Sequence, residues 1–248
     1  MEFDDARLSR IDTLWSVVRQ AHTTDAEAAA SAQQALLQRY SGAVRRYLRG
    51  ALRDADLADE MFQEFAFKFI KGDFRSVDPE RGKFRSFVKT VLFRMVALHF
   101  RKKSNAKVRN VESLPEPADD EISKDNEEMF LQNWRDDVLA KTWAKLADAE
   151  ANGGAKHNTV LRIRVENPAA NSDELASLVS AKTGKEVKSG NVRVQVHRAR
   201  EKFATLLIDH IADSLECVNR DNVESELVDL RLIDYCRDSL DSYERFSE

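Results

Sequence analysis

The sequence predicts an all-α protein of two helical domains joined by an acidic flexible linker, and three observations carry that prediction. Glycine and proline are scarce, at 8 and 4 in 248 residues, where a turn-rich sandwich or barrel would need many more. Apolar residues recur at spacings of three and four along most of the chain, the period of a helix buried on one side. Ser104 to Glu128 breaks this rhythm with Pro115, Pro117, little apolar content and an acidic run, and reads as extended or mobile. The domains expected are therefore 1–103 and 129–216, separated by a linker at 104–128 and followed by an acidic helical extension at 217–248.

The elements follow in order. Asp12 to Gln20 carries Leu14, Val17 and Val18 at helical spacing. Ala26 to Leu52 has a stripe of Leu36, Leu37, Tyr40, Val44, Tyr47 and Leu48. Asp54 to Ile70 places Leu57, Met61, Phe62, Phe65 and Phe69 on one side, with Asp54 or Asp56 as the cap and Gly72 as the stop. Asp78-Pro79-Glu80-Arg81-Gly82 is a turn signal. A basic helix then runs to about Lys103 through Phe84, Phe87, Val91, Phe93, Met95 and Phe100, with Val91 and Met95 expected inside. Beyond the linker, Met129 to Glu150 carries Phe130, Trp134, Val138, Leu139, Trp143 and Leu146, and Asn152-Gly153-Gly154 ends it. Thr159 to Val165 is a short helix stopped before Pro168. Asp173 to Thr183 follows with Ser172 as its cap. A helix from Val192, and one more from about Val223 to Leu240, complete the chain.

Several classes of function are excluded. No apolar run reaches the length of a membrane span, and the acidic start, Met1 to Asp5, lacks the basic-then-apolar order of a secretory signal. Cys217 and Cys236 have neither a disulfide framework nor metal-ligand spacing, so free thiols in a reducing cytoplasm are expected. His22, His99, His157, His197 and His210 form no ligand cluster, and Gly153-Gly154-Ala155-Lys156 lacks the spacing of a phosphate loop. No metal, cofactor or catalytic residue is expected, and an enzyme is not the reading.

Charge is more informative in its distribution than in its net value of −4. Eleven basic residues lie between Arg75 and Arg109 against Asp78 and Glu80, and seven between Lys182 and Lys202 against Glu186 and Glu201. Glu112 to Glu128 holds eight acids against Lys124, and the last forty residues hold twelve acids against four basic residues. Basic islands confined to particular helices are a footprint of polyanion binding. In the later island, a short helix, a turn with Gly184 and Gly190, and a second helix make a helix-turn-helix candidate. Its second helix sets Val192, Val196, Ala199, Phe203 and Leu206 on one face, and offers Arg193, Gln195, His197, Arg198, Arg200 and Lys202 on the others. Cations and Gln so placed suit phosphates and base edges, although the spacing alone also fits a charged surface helix. In the earlier island, phenylalanines interleave with Lys83, Arg85, Lys89, Arg94, Arg101, Lys102 and Lys103, which suits opened nucleic acid as well as a plain core. Glu60, Gln63 and Glu64 form a polar face on an otherwise apolar helix, facing solvent or a partner.

These runs resemble a known family. Asp59-Glu60-Met61-Phe62-Gln63-Glu64-Phe65, then Phe84-Arg85-Ser86-Phe87-Val88, then a basic helix ending Arg101-Lys102-Lys103, look like region two of a bacterial sigma factor. Val192-Arg193-Val194-Gln195-Val196-His197-Arg198-Ala199-Arg200 resembles the recognition helix of region four. Two regions with a short linker between them are similar to the extracytoplasmic-function group of the sigma-70 family. Leu14 to Val18, Asp78 to Phe87 and Arg198 to Phe203 resemble its planctomycete-type members. The resemblance implies a non-catalytic subunit that gives core RNA polymerase its promoter choice. It implies polymerase docking by Glu60, Gln63 and Glu64, and minus-ten recognition by Lys83, Phe84, Arg85, Phe87, Lys89 and Arg94. It also implies minus-thirty-five recognition by Arg193, Gln195, His197, Arg198 and Arg200. Phe87, Arg94 and Leu98 stand where the family often has Trp, Asn and Asp. The partners implied are core RNA polymerase and promoter DNA, with restraint supplied either by an anti-sigma protein or by the acidic tail. A stand-alone helix-turn-helix regulator, which would dimerise on a pseudo-palindrome, and a helical scaffold are the competing classes.

Overall fold

A computed structural model of the chain describes residues 26–71, 84–108, 119–215, 218–243 and 246. Their architecture is all-α, with no strand among the described residues: α1 (Ala26–Leu52), α2 (Ala55–Lys71), α3 (Phe84–Val108), α4 (Asp119–Ala151), α5 (His157–Glu166), α6 (Ser172–Thr183), α7 (Ser189–Ala212), α8 (Arg220–Asp229) and α9 (Ile233–Leu240). The helix expected at 12–20, the turn at 78–82 and Cys217 lie outside the described residues. The chain divides into two compact units, Met1–Asp137 with Leu215–Cys217, and Val138–Ser214 with Val218–Glu248.

In the first unit α1 packs on α2 and α3. Leu36, Tyr40, Val44, Tyr47 and Leu48 of α1 are buried, as are Met61, Phe62, Phe65 and Phe69 of α2. α1 closes with Arg53 in the left-handed region (φ 52), its amide donating to the Arg49 carbonyl at 3.0 Å. Asp54 rather than Asp56 caps α2, accepting from the Leu57 amide at 3.1 Å. α3 is turned from its expected setting. Val88, Leu92, Met95 and Val96 form its buried face, whereas Val91 is only half-buried and Phe100 is exposed. Val88 lines a small cavity with Leu36 and Tyr40 of α1, and half-buried Phe93 stacks on Tyr47 with 5.6 Å between ring centroids.

The segment 104–128 differs from expectation. α3 continues to Val108 and α4 starts at Asp119, so 119–128 is helix rather than extended chain. The physical reason lies downstream. Phe130 and Trp134 are almost fully buried, with Phe130 edge-on to Tyr47 (5.5 Å between ring centroids) and Phe93 (6.1 Å), and Trp134 stacked on Tyr40 (5.2 Å). That anchorage offsets the entropy of extending the helix backwards, and an acidic run at a helix start is favoured by the helix dipole. Gly42 permits the approach of α4 to α1, since a Cβ there would sit 2.0 Å from Asp137 Oδ1.

In the second unit α5, α6 and α7 share a core of Val160, Ile163, Leu175, Ala176, Val179, Val192 and Val196. Glu150 ties the end of α4 to α5, accepting from the Thr159 amide at 2.9 Å and its hydroxyl at 2.5 Å. The cap of α6 is Asn171, not the expected Ser172. Its side chain accepts from the Asp173 and Glu174 amides at 2.9 and 3.0 Å, and the Asn171 amide in turn donates to the Glu174 carboxylate at 2.9 Å. This reciprocal box satisfies more of the free helix donors than a serine one residue later. Gly184 (φ 67) ends α6, and the Val187 amide donates to Ser180 Oγ at 2.8 Å across the turn. The buried stripe of α7 runs through Val192, Val196, Ala199 and Phe203 and then to Leu207, with Leu206 only half-buried.

The single helix expected from Val223 to Leu240 is two. Arg231 adopts φ 56 between α8 and α9, with bonds from the Leu232 amide to the Leu227 carbonyl (2.7 Å) and from the Arg231 amide to the Val228 carbonyl (2.9 Å). This is a Schellman ending built on arginine instead of glycine. It folds Leu230 and Leu232, both 1% exposed, into one core. α8 and α9 pack on α7. Tyr243 donates to Asp209 Oδ1 at 2.5 Å, and Arg220 pairs with Asp241 at 2.5 Å. The extension is thus a packing element of its unit. Cys236 is fully buried within it, and burial pushes its thiol up to about 12. A thiol held so far from the thiolate is inert, unlike a redox sensor.

Candidate nucleic-acid interface

The polar face of α2 is built as the sequence implies. Burial of Met61, Phe62 and Phe65 turns Glu60, Gln63 and Glu64 outward, and all three are exposed. Glu60 and Glu64 line an open groove of about 260 Å³ with Leu57, Met61, Lys68, Met95, Leu98, His99 and Lys102. Glu64 pairs with Lys68 at 2.7 Å, one turn on. Asp59 is drawn the other way, to Arg45 at 2.6 Å and Arg49 at 3.7 Å, and so joins α1 to α2. The groove therefore sets Glu60 and the Glu64–Lys68 pair beside Lys102 and exposed Leu98.

The residues expected on the DNA-facing side of α3 are not equally presented. Arg94 is exposed and Phe87 half-buried. Lys89, its side chain 25% exposed, is ion-paired with Glu127 of α4. Arg85 is 8% exposed, against expectation. It shares the inward side of α3 with Val88 and Leu92, three and seven residues on, so the face that packs the core takes Arg85 with it. Phe84 opens α3, and Lys83 lies outside the described residues.

On α7 the cations are presented. Arg193, His197, Arg198 and Arg200 are exposed and Gln195 is half-buried. Arg193 Nε donates to Ser172 Oγ at 2.7 Å, and His197 Nε2 lies 3.4 Å from Glu201. Arg193, His197 and Arg200 share an open concavity of about 310 Å³ with Arg164, Asn171 and Ser172. Arg164, which donates to the Ala170 carbonyl at 2.8 Å, is a further cation of this surface that the sequence did not single out. It belongs to α5, outside the helix-turn-helix, and only the three-helix fold carries it there.

α6 and α7, joined by the turn at Gly184 and sharing a core with α5, have the arrangement of a helix-turn-helix with a cationic outward helix. Comparison with known families adds a match in the other unit: residues 36–106, spanning most of α1, all of α2 and most of α3, match the model of sigma-70 region 2. No curated protein and no solved structure matches the chain. The likeness is to that region, over less than half of the chain. Among the described residues no helix is long and apolar enough to cross a membrane.

Proposed function

We propose that this chain is a sigma factor of the extracytoplasmic-function group, close to its planctomycete-type members, that directs core RNA polymerase to a set of promoters in the cytoplasm. The reading is carried by the pairing, in one chain, of a segment like sigma region two with a helix-turn-helix whose recognition helix is cationic. Glu60, Gln63 and Glu64 dock on the polymerase. Phe87, Lys89 and Arg94, together with Lys83 and Phe84 before them, meet the minus-ten element and capture an unstacked base as the strands part. Arg193, Gln195, His197, Arg198 and Arg200 read the minus-thirty-five element, with phosphate contacts positioning the helix and base edges supplying discrimination. Arg85 is left out of this set because its burial gives it a packing role. Residues 1–137 and the helix-turn-helix unit then act as the two promoter-reading domains. α8 and α9 pack on α7 while its cations stay exposed, so the extension leaves this surface open to DNA.

Co-purification of the full chain with core RNA polymerase tests the proposal. Binding by the wild type, reduced at least tenfold in the Glu60→Lys, Glu64→Lys double variant, is the expected result. Absence of binding, with site-specific duplex binding by the chain alone as a symmetric dimer, would replace it with the stand-alone regulator.

A further inference from the structure

The recognition helix carries one feature that its cations do not explain. Val194 is 47% exposed, an apolar β-branched side chain between exposed Arg193 and half-buried Gln195. On a helix of about 3.6 residues per turn it stands about 200° round from Val192, at the middle of the outward face. His197 and Arg198, three and four residues on, flank it and are exposed. It lies within the first two turns of α7, the part of a recognition helix that reaches base edges. In the major groove the apolar group offered by a base edge is the 5-methyl of thymine. A valine is stiff at χ1, so little rotamer freedom is lost when it is pressed against such a methyl.

We infer that Val194 selects a thymine in the duplex element read by α7, through contact with its 5-methyl group. The inference rests on the proposed duplex reading by α7 and goes beyond it by assigning a base preference to a residue. Arg193 and Arg198, on either side, bring the helix onto the phosphates, and Val194 then favours an A·T pair in one orientation. Removal of one buried methyl-sized contact corresponds to about a three- to fivefold change in affinity.

The test uses holoenzyme formed from the full chain and core polymerase. A duplex library randomised over the upstream element is selected for binding, and each thymine of the enriched site is then replaced singly by 2′-deoxyuridine, which deletes only the methyl. For the wild type, one position is expected to lose three- to fivefold on this replacement, and Val194→Ala, whose shorter side chain contacts the methyl less, is expected to lose clearly less there. The thymine-to-uracil ratio is read within one protein preparation, so it is insensitive to the active fraction of the variant. An enriched site whose ratio is the same in wild type and Val194→Ala, or that shows no methyl-dependent thymine, would overturn the inference and leave duplex reading by α7 standing. No enrichment of any sequence would overturn both.

Discussion

Helices α3 and α7 have similar sequences in outline, each interleaving cations with apolar residues, yet the fold uses them differently. On α7 the buried apolar residues keep to one side, so that Arg193, His197, Arg198 and Arg200 are all left exposed, with Val194 as the apolar exception on the outward face. On α3 the inward side includes Arg85, Lys89 is paired with Glu127, and Leu98 and Phe100 are exposed at 53% and 46%. A helix of uniform phase presents its charges, whereas a helix packed from two sides spends part of its charge on its own fold. Basic content alone therefore does not set availability to a polyanion, and the two helices suit different tasks, rigid duplex reading on α7 and capture of opened DNA on α3.

The largest effect that could break this comparison concerns the second packing partner of α3. Phe130→Ala is expected to lower stability by about 3–5 kcal/mol, as for a buried phenylalanine that leaves a cavity, read by urea unfolding. A near-neutral result would mean that α4 does not brace α3 and that Lys89 is not held there. Next comes the contrast in DNA binding. Arg198→Ala should weaken holoenzyme binding to duplex promoter by about 1–3 kcal/mol, and Lys89→Ala by less than about 1 kcal/mol, since its partly exposed pair with Glu127 is given up on binding. Equal losses would erase the distinction. The smallest effect sharpens the support of α7 through α5. Burial raises the Glu150 carboxyl, but hydrogen bonds from the Thr159 hydroxyl and amide, with Lys156 nearby, outweigh it and lower the pKa below the usual 4.5. A carboxylate held below its unfolded value stabilises the fold above that value and ceases to as pH falls through the folded one. Glu150→Gln should therefore cost about 1 kcal/mol near neutrality, and thermal melts of the two proteins should converge as pH falls below 4.5.

Much of this was legible in the sequence where periodicity and caps agreed. α1 runs from Ala26 to Leu52 as its stripe predicts, and the helix-turn-helix follows from Gly184 and the spacing of Val192, Val196 and Ala199. The failures have physical causes. Arg231 in a left-handed conformation carries no turn signal, so the break between α8 and α9 is invisible until Leu230 and Leu232 are seen to share a core. Charge density before Phe130 reads as linker, although the aromatic anchor beyond it is strong enough to make helix. On α3 the rings drew attention from Val88 and Leu92, the residues that are fully buried, and with them from the burial of Arg85. Within the candidate interface Arg164 was missed because it joins the surface by tertiary structure alone.

The central claim is that the chain gives core polymerase a promoter choice. Its most direct test is transcription by core RNA polymerase on genomic DNA fragments of the source organism, with and without the purified chain, with the 5′ ends of the transcripts sequenced. The account predicts a discrete set of chain-dependent start sites that share sequence about ten and thirty-five base pairs upstream. Start sites that are the same whether or not the chain is present would contradict it.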